Sequence, residues 1–213
     1  EVFFYNWEYF QNNLIEILLP IKKDIDSSML FGIIDGYKFV GYRGLASHGA
    51  AVGIITAMFI YKYKFKYDSV LWIFDRLAIP VAIGGMFVRI GNFFNSEIVG
   101  NYTNSNFGIV FKNRGEIFPR HPAQLYEAFG YLLLFILLWN LYWKTNLKKN
   151  KGFLFGLFLT GLFSVRVLVE NVKESQGGGL EDTLGLLSNG QWLSIPFIVI
   201  GISLMLYSRR KGA

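Results

Sequence analysis

No cysteine occurs in the 213 residues. That excludes a disulfide, a thiolate metal site and an enzyme thiol nucleophile. Histidine is nearly missing too, with His48 and His121 the two in the chain. Two imidazoles are too few for a buried metal centre, so no metal and no cofactor is expected. Charge is also scarce. Charged residues make up 17% of the chain, against about 25% in a soluble domain. Hydrophobic residues reach 53% and aromatics 18%, the composition of an integral membrane protein. The net charge of +6 does not point to nucleic acid. The basic residues cluster in short segments between apolar runs instead of forming a basic face, which is the positive-inside pattern.

A membrane-spanning helix needs about 20 mostly apolar residues. Five stretches qualify: Leu45 to Tyr61, Val70 to Phe94 (interrupted by Asp75-Arg76 and Pro80), Ala123 to Trp143, Gly152 to Val172, and Gln191 to Tyr207. Val2-Phe3-Phe4-Tyr5-Asn6 reads as the end of an earlier membrane helix. The expected fold is therefore an all-α, polytopic transmembrane helical bundle forming a single integral membrane domain over 1–213. Lysines and arginines gather at Lys62 to Lys66, at Lys144 to Lys151 and at Arg209-Arg210-Lys211. These three segments alternate correctly to lie on the cytoplasmic side. The longer connections 11–44, 95–122 and 173–190 then face outward, and Arg43, His48, Arg89, His121 and the end of the fourth helix share that side. Residues 12–36 alternate apolar and charged patches, and a helix lying in the interface is the expectation there, carried by Leu14, Ile15, Leu18 and Leu19.

Polar chemistry concentrates just after the uncharged run Leu77 to Val88, in Arg89, Asn92, Asn95 and Glu97. Arg89 and Asn92 are three apart and share a helix face. An arginine near a helix end can be a snorkelling anchor. Its planar fork of donors, with asparagine amides beside it, also suits a phosphate or carboxylate. On the fourth helix, Arg166 and Glu170 are four apart. They read either as an internal ion pair or, with Arg89, as one half of a two-armed anion clamp. His48 opens a helix between small residues and can be a structural group or a base. Gln124 and Glu127 sit three apart on the first turns of the third helix, where an acid also stabilises the helix dipole. Asp75-Arg76 lies nearer the cytoplasmic side and reads as structural.

These motifs resemble a known family. Arg89-Ile90-Gly91-Asn92-Phe93-Phe94-Asn95-Ser96-Glu97 is similar to the signature of the bacterial prolipoprotein diacylglyceryl transferases. Ser47-His48-Gly49 resembles that family's histidine-glycine motif, and Pro119 to Glu127 its proline-arginine-histidine-proline run, with Ala123 in place of serine. Arg166 to Glu170 resembles its arginine–glutamate helix, and Asn189 to Ser194 the start of its last helix. The chain departs from the pattern at Leu162, where the family has tyrosine, and at Lys173, where it has arginine. About two N-terminal helices of the family are expected to precede these residues.

The resemblance implies a transferase of the bacterial inner membrane that acts in lipoprotein biogenesis, with its active face toward the outer leaflet. It moves the diacylglyceryl group of phosphatidylglycerol onto the lipobox cysteine of a prolipoprotein signal peptide. A thioether forms and glycerol phosphate leaves. His48, Arg89 and Arg166 are the implied catalytic residues. His48 would take the thiol proton, and the two arginines would stabilise the departing phosphate. Asn92, Asn95, Glu97, Gln124, Tyr126, Glu127 and Glu170 would line the substrate site, the glutamates holding the arginines in place. The alternative is a membrane anion or lipid-headgroup transporter, or a binding protein without catalysis, in which the same arginines line a path.

Overall fold

The computed structural model describes residues 21–29, 34–39, 47–67, 69–174 and 187–212. The elements in chain order are β1 (Ile21–Met29), β2 (Ile34–Phe39), α1 (Ser47–Phe65), α2 (Val70–Phe94), α3 (Ala123–Lys144), α4 (Phe153–Glu170) and α5 (Asn189–Gly212), with 3₁₀ turns at Lys112–Arg114 and Asn146–Lys149. The chain divides into two compact units, Glu1–Lys66 and Tyr67–Ala213.

The first unit contains β1, β2 and α1. Residues 21–29 and 34–39 pair antiparallel, with Ile21 opposite Phe39 and Met29 opposite Ile34. This corrects the expectation of an interfacial helix over 12–36 for its second half. Asp24-Ile25-Asp26 has a period of two, and Gly36 sits at φ 80, where residues with a side chain are rarely found. Leu14, Ile15, Leu18 and Leu19 lie outside the described residues, as does Arg43. α1 is a helix of 19 residues with Lys62 and Lys64 in its last turn.

Among the described residues, the second unit is a bundle of four helices. All four are long and apolar enough to cross a membrane: 70–94, 123–144, 153–170 and 190–210. α1 is not among them: of the fifth span expected over Leu45 to Tyr61, residues 45 and 46 lie outside the described residues, and the helix as described runs on through Lys62 and Lys64. Only 22–33% of each apolar span is buried inside the protein. Helices this apolar with most of their surface uncovered require a hydrocarbon surrounding, and the chain is a multi-pass membrane protein.

Helix association in a membrane relies on close packing at small residues. Gly130 packs against Val165 and Gly161 against Leu134, which sets α3 against α4. A Cβ on Gly156 would stand 2.6 Å from the Gly201 carbonyl oxygen, so α4 and α5 meet backbone to backbone. The apolar core joins Ala78, Ile79 and Ala82 of α2, Leu134 and Leu138 of α3, and Phe153, Leu154 and Phe158 of α4. Leu162 packs against this core.

α2 is continuous over the expected bounds, Val70 to Phe94, with Pro80 inside it. Its polar pair is satisfied locally. Asp75, 1% exposed, accepts hydrogen bonds from the Gly152 and Phe155 backbone N–H groups at 2.6 and 2.8 Å, capping the start of α4 from a neighbouring helix. Arg76 donates to the Trp72 carbonyl at 2.9 Å, and its guanidinium lies 3.4 Å from the centre of the Trp72 ring.

Candidate functional site

The end of α2, the start of α3, the end of α4 and the start of α5 meet at the opposite end of the bundle from Asp75. The α2–α3 connection is fastened there by backbone hydrogen bonds. Gly100 N–H donates to His121 O at 2.9 Å and Asn101 N–H to Val172 O at 2.8 Å. A Cβ on Gly100 would meet both of those carbonyl oxygens at 2.6 Å, so this crossing demands glycine. At the other side of the end, Gln191 donates to Val167 O at 3.3 Å and to Asn171 Oδ1 at 3.2 Å, tying α5 to α4.

The chain turns sharply after α2. Ser96 and Ile98 both take left-handed backbone conformations, φ 57 and 56. That is uncommon for any residue with a side chain and strained for a β-branched one. The reversal is held by Gln124, whose amide donates to the Glu97 carbonyl at 2.5 Å. Glu97 itself is exposed, and its carboxylate accepts from the Asn92 amide at 2.8 Å. Asn92 is thus engaged with Glu97, while Asn95 is exposed. His121 Nδ1 and the Tyr126 hydroxyl stand 3.2 Å apart.

One turn into α3, Glu127 is 1% exposed. Its carboxylate stands 2.6 Å from Arg89 Nε, an ion pair whose side chains are 1% and 14% exposed. Burial and pairing make Glu127 more than a charge placed to suit a helix dipole. Arg89 is held, not snorkelling freely. Glu170 does not pair with Arg166 among the described residues; it takes Lys173 at 3.4 Å. Arg166 has a buried Nε without a hydrogen-bond acceptor and no carboxylate partner among the described residues.

On the same helix as Glu127, Tyr131, 4% exposed, lays its ring against Gly85 of α2, where a Cβ would stand 3.3 Å from its Cδ2. Glu127 pairs with Arg89, and a charged Arg166 without a carboxylate partner among the described residues is costly, a cost that an anion would relieve. Sequence reasoning did not single out Tyr131. A signal existed: Gln124, Glu127 and Tyr131 fall at i, i+3 and i+7, one polar stripe on an otherwise apolar helix.

The structure thus brings Arg89 and Glu127 together, with Gln124, Asn92 and Glu97 one turn beyond them and Arg166 on α4, whose Val165 packs against Gly130 of α3. Tyr126 faces His121, and Glu170 faces Lys173. His48 is the second residue of α1, in the other compact unit, and its side chain lies outside what is described. No group of three or more His, Cys, Asp or Glu suited to a metal ion occurs among the described residues.

Fold and site together define an α-helical, multi-pass membrane protein with two half-buried arginines, Arg89 and Arg166, toward one end of its bundle. A family model described as prolipoprotein diacylglyceryl transferase matches residues 1–207, and the chain belongs to that family. It is 42% identical over 210 residues to the phosphatidylglycerol–prolipoprotein diacylglyceryl transferase of Bacteroides fragilis, covering 98% of this chain and 71% of that protein. It is 47% identical over 170 residues to the protein of the same name from Tolumonas auensis, covering 80% and 64%. The like-named protein of Chloroherpeton thalassium is 43% identical over 173 residues, covering 81% and 63%. The chain spans about two thirds of the length of these curated relatives.

Proposed function

We propose that the protein transfers the diacylglyceryl group of phosphatidylglycerol to the lipobox cysteine thiol of prolipoproteins, at the outer leaflet of the bacterial inner membrane. Family membership and the names of the relatives support the reaction class. The observation that carries the reading for this chain is two arginines at one end of the bundle, Arg89 held by Glu127 at 2.6 Å and Arg166 with a buried Nε that has no hydrogen-bond acceptor. Two guanidinium groups suit a phosphodiester headgroup.

The chemistry asks little of the protein in covalent terms. The substrate's own sulfur attacks the glyceryl carbon that bears the phosphate. The carbon–sulfur bond forms, the carbon–oxygen bond breaks, and glycerol phosphate leaves with the electron pair. Charge grows on the leaving phosphate as that bond breaks, so Arg89 and Arg166 stabilise the transition state more than the ground state. A free thiol has a pKa of about 8.5. His48 is the base that accepts its proton, and the positive field of the arginines favours the thiolate. Glu127 positions Arg89. Asn92, Asn95, Glu97, Gln124, Tyr126 and Glu170 shape the surrounding substrate site.

Transfer of lipid from phosphatidylglycerol to a lipobox peptide by the full-length protein tests the reading. Arg89→Ala lowers the rate by about 10²-fold or more, the scale of losing a group that stabilises developing negative charge. His48→Ala abolishes transfer, while both variants still insert into the membrane. Full activity of the Arg89 variant refutes the proposal. Anion flux through reconstituted vesicles without lipid transfer favours a transporter instead.

A further inference from the structure

Gln124 is 1% exposed, and half of its amide does nothing for stability. Its Oε1 is buried without a hydrogen-bond partner among the described residues, and an unsatisfied buried acceptor costs free energy. An apolar side chain of the same length would fill this place in α3 with less penalty. What the amide does supply is its Nε2 donor, which reaches the Glu97 carbonyl on the α2–α3 connection at 2.5 Å. Its contribution therefore lies in the backbone it holds.

That backbone is strained between two fixed ends. Upstream, Asn95 N–H donates to Gly91 O at 3.0 Å and closes α2. Downstream, Val99 is buried and Gly100 N–H is held by His121 O. Between them Ser96 and Ile98 stand at φ 57 and 56. Ser96 takes the place after a helix end where glycine is the usual residue, and a β-branched side chain at such a φ is rarer still. Strain of this kind persists only where surrounding contacts enforce it, and it gathers at functional sites. Here the reversal brings Glu97 back onto α2. Glu97 N–H donates to Asn92 O at 2.9 Å, and Asn92 Nδ2 donates to Glu97 Oε2 at 2.8 Å. The two residues are thus locked together twice, and Asn92 lies one turn from Arg89 on the same helix face.

We propose that Gln124 is a positioning residue for this site: its amide holds the strained reversal at 96–98, and the reversal holds the Asn92–Glu97 pair in place for the lipid headgroup. The inference rests on the reading above that Asn92 and Glu97 shape the phosphatidylglycerol site. It gives Gln124 no contact with the lipid. The side chain acts through the backbone of Glu97.

The experiment uses the full-length protein in nanodiscs, with binding of short-chain phosphatidylglycerol measured separately from transfer to a lipobox peptide. Gln124→Met keeps the length of the side chain and removes the donor. It is expected to raise Kd and KM for the lipid by about tenfold, the factor by which the held conformer is depopulated. kcat changes less, because saturating lipid selects that conformer. The melting temperature stays at or above the parent's, because the unsatisfied oxygen is gone. Ile98→Gly supplies a suppressor. Glycine takes a left-handed φ without the Cβ penalty, so in the Gln124→Met background it should bring Kd and KM back to within about threefold of the parent's. A glutamine that merely packs would lower the melting temperature and leave Kd and KM unchanged. One that touched the lipid would lose binding that Ile98→Gly does not restore. Either result overturns the proposal. If Gln124→Met does not fold, recovery of folding and binding in the double variant supports the clamp, and no recovery overturns it. A parent protein that binds the lipid without transferring it refutes the transfer reading alone, and the Kd values still decide the role of Gln124. A parent that does not bind phosphatidylglycerol overturns both.

Discussion

Arg120 shows how much one side chain organises at the end of the bundle that follows Arg89. It is 4% exposed. Its Nε donates to Glu116 Oε2 at 2.6 Å, and its Nη1 to the Gly100 carbonyl at 3.1 Å and to Glu174 Oε1 at 3.0 Å. Its flat face lies 3.8 Å from the centre of the Tyr102 ring. One guanidinium thereby joins the α2–α3 connection to the residues just after α4, which carry the backbone that follows Arg166. Glu116 records the strength of this contact. The Arg120 hydrogen bond holds its carboxyl below the ordinary value of 4.5 against the effect of burial, with Arg114 adding to the pull. A carboxyl with a depressed folded pKa contributes stability above the unfolded value and loses that contribution as pH falls through the folded one. Acidification below about 4.5 therefore loosens the connection. Thermal melting in detergent checks this: the melting temperature falls as the pH is lowered from about 5 to 3, and falls less steeply in Glu116→Gln. Equal slopes in both proteins would remove Glu116 as the cause.

At the scale of elements, the bundle is organised by unlike devices at its two ends. One end is polar and carries Arg89 and Arg166. The other end is fastened by Asp75, whose carboxylate satisfies the first backbone N–H groups of α4 from across the bundle. Those groups have no partner within their own helix, and in a membrane no water replaces a lost acceptor. Gly152, at φ 95, lets the chain swing into position before α4 begins. Asp75→Ala is expected to destabilise the protein by about 1–3 kcal/mol, the cost of leaving buried donors unsatisfied. Amide hydrogen exchange should show that loss at the first turn of α4 before it reaches α3. A uniform loss across the bundle, or none, would count against the capping role. The same fastening bears on the site at a distance, since α4 carries Arg166 toward its other end and α2 carries Arg89.

For the whole molecule, the asymmetry of charge decides orientation. Lys144, Lys148, Lys149, Lys151, Arg209 and Arg210 surround the end of the second unit that holds Asp75, and Arg89 and Arg166 lie at the other. Short loops rich in lysine and arginine stay in the cytoplasm, so the arginine pair is expected to face outward. The absence of cysteine makes this directly testable. A membrane-impermeant maleimide applied to intact cells should label Asn104→Cys, and should label Lys149→Cys only after the membrane is opened. The reverse pattern would invert the orientation and remove the outer-leaflet assignment.

Much of this was legible in the sequence, because helix length, hydropathy and lysine placement are properties of consecutive residues. α2 was expected over Val70 to Phe94 and forms over those residues, despite Pro80. The candidate site was legible in part: Arg89, Glu127 and Arg166 stood out as charges in apolar helices, a costly arrangement that asks for a partner. Their partners were not legible. Glu170 was open to Arg166 by spacing and takes Lys173, while Glu127 takes Arg89 from a different helix. The left-handed turn at Ser96 and Ile98 was hidden because neither residue is glycine, and tertiary hydrogen bonds hold it. Residues 21–29 pair antiparallel with residues 34–39, where an interfacial helix was expected. The sequence by itself determined a membrane bundle with arginines near one end. Only tertiary structure decided that α2 and α3 pack antiparallel with Gly85 against Tyr131. That register sets Arg89 against Glu127, since which helix faces meet depends on side-chain fit across the interface, not on the order of residues along either helix.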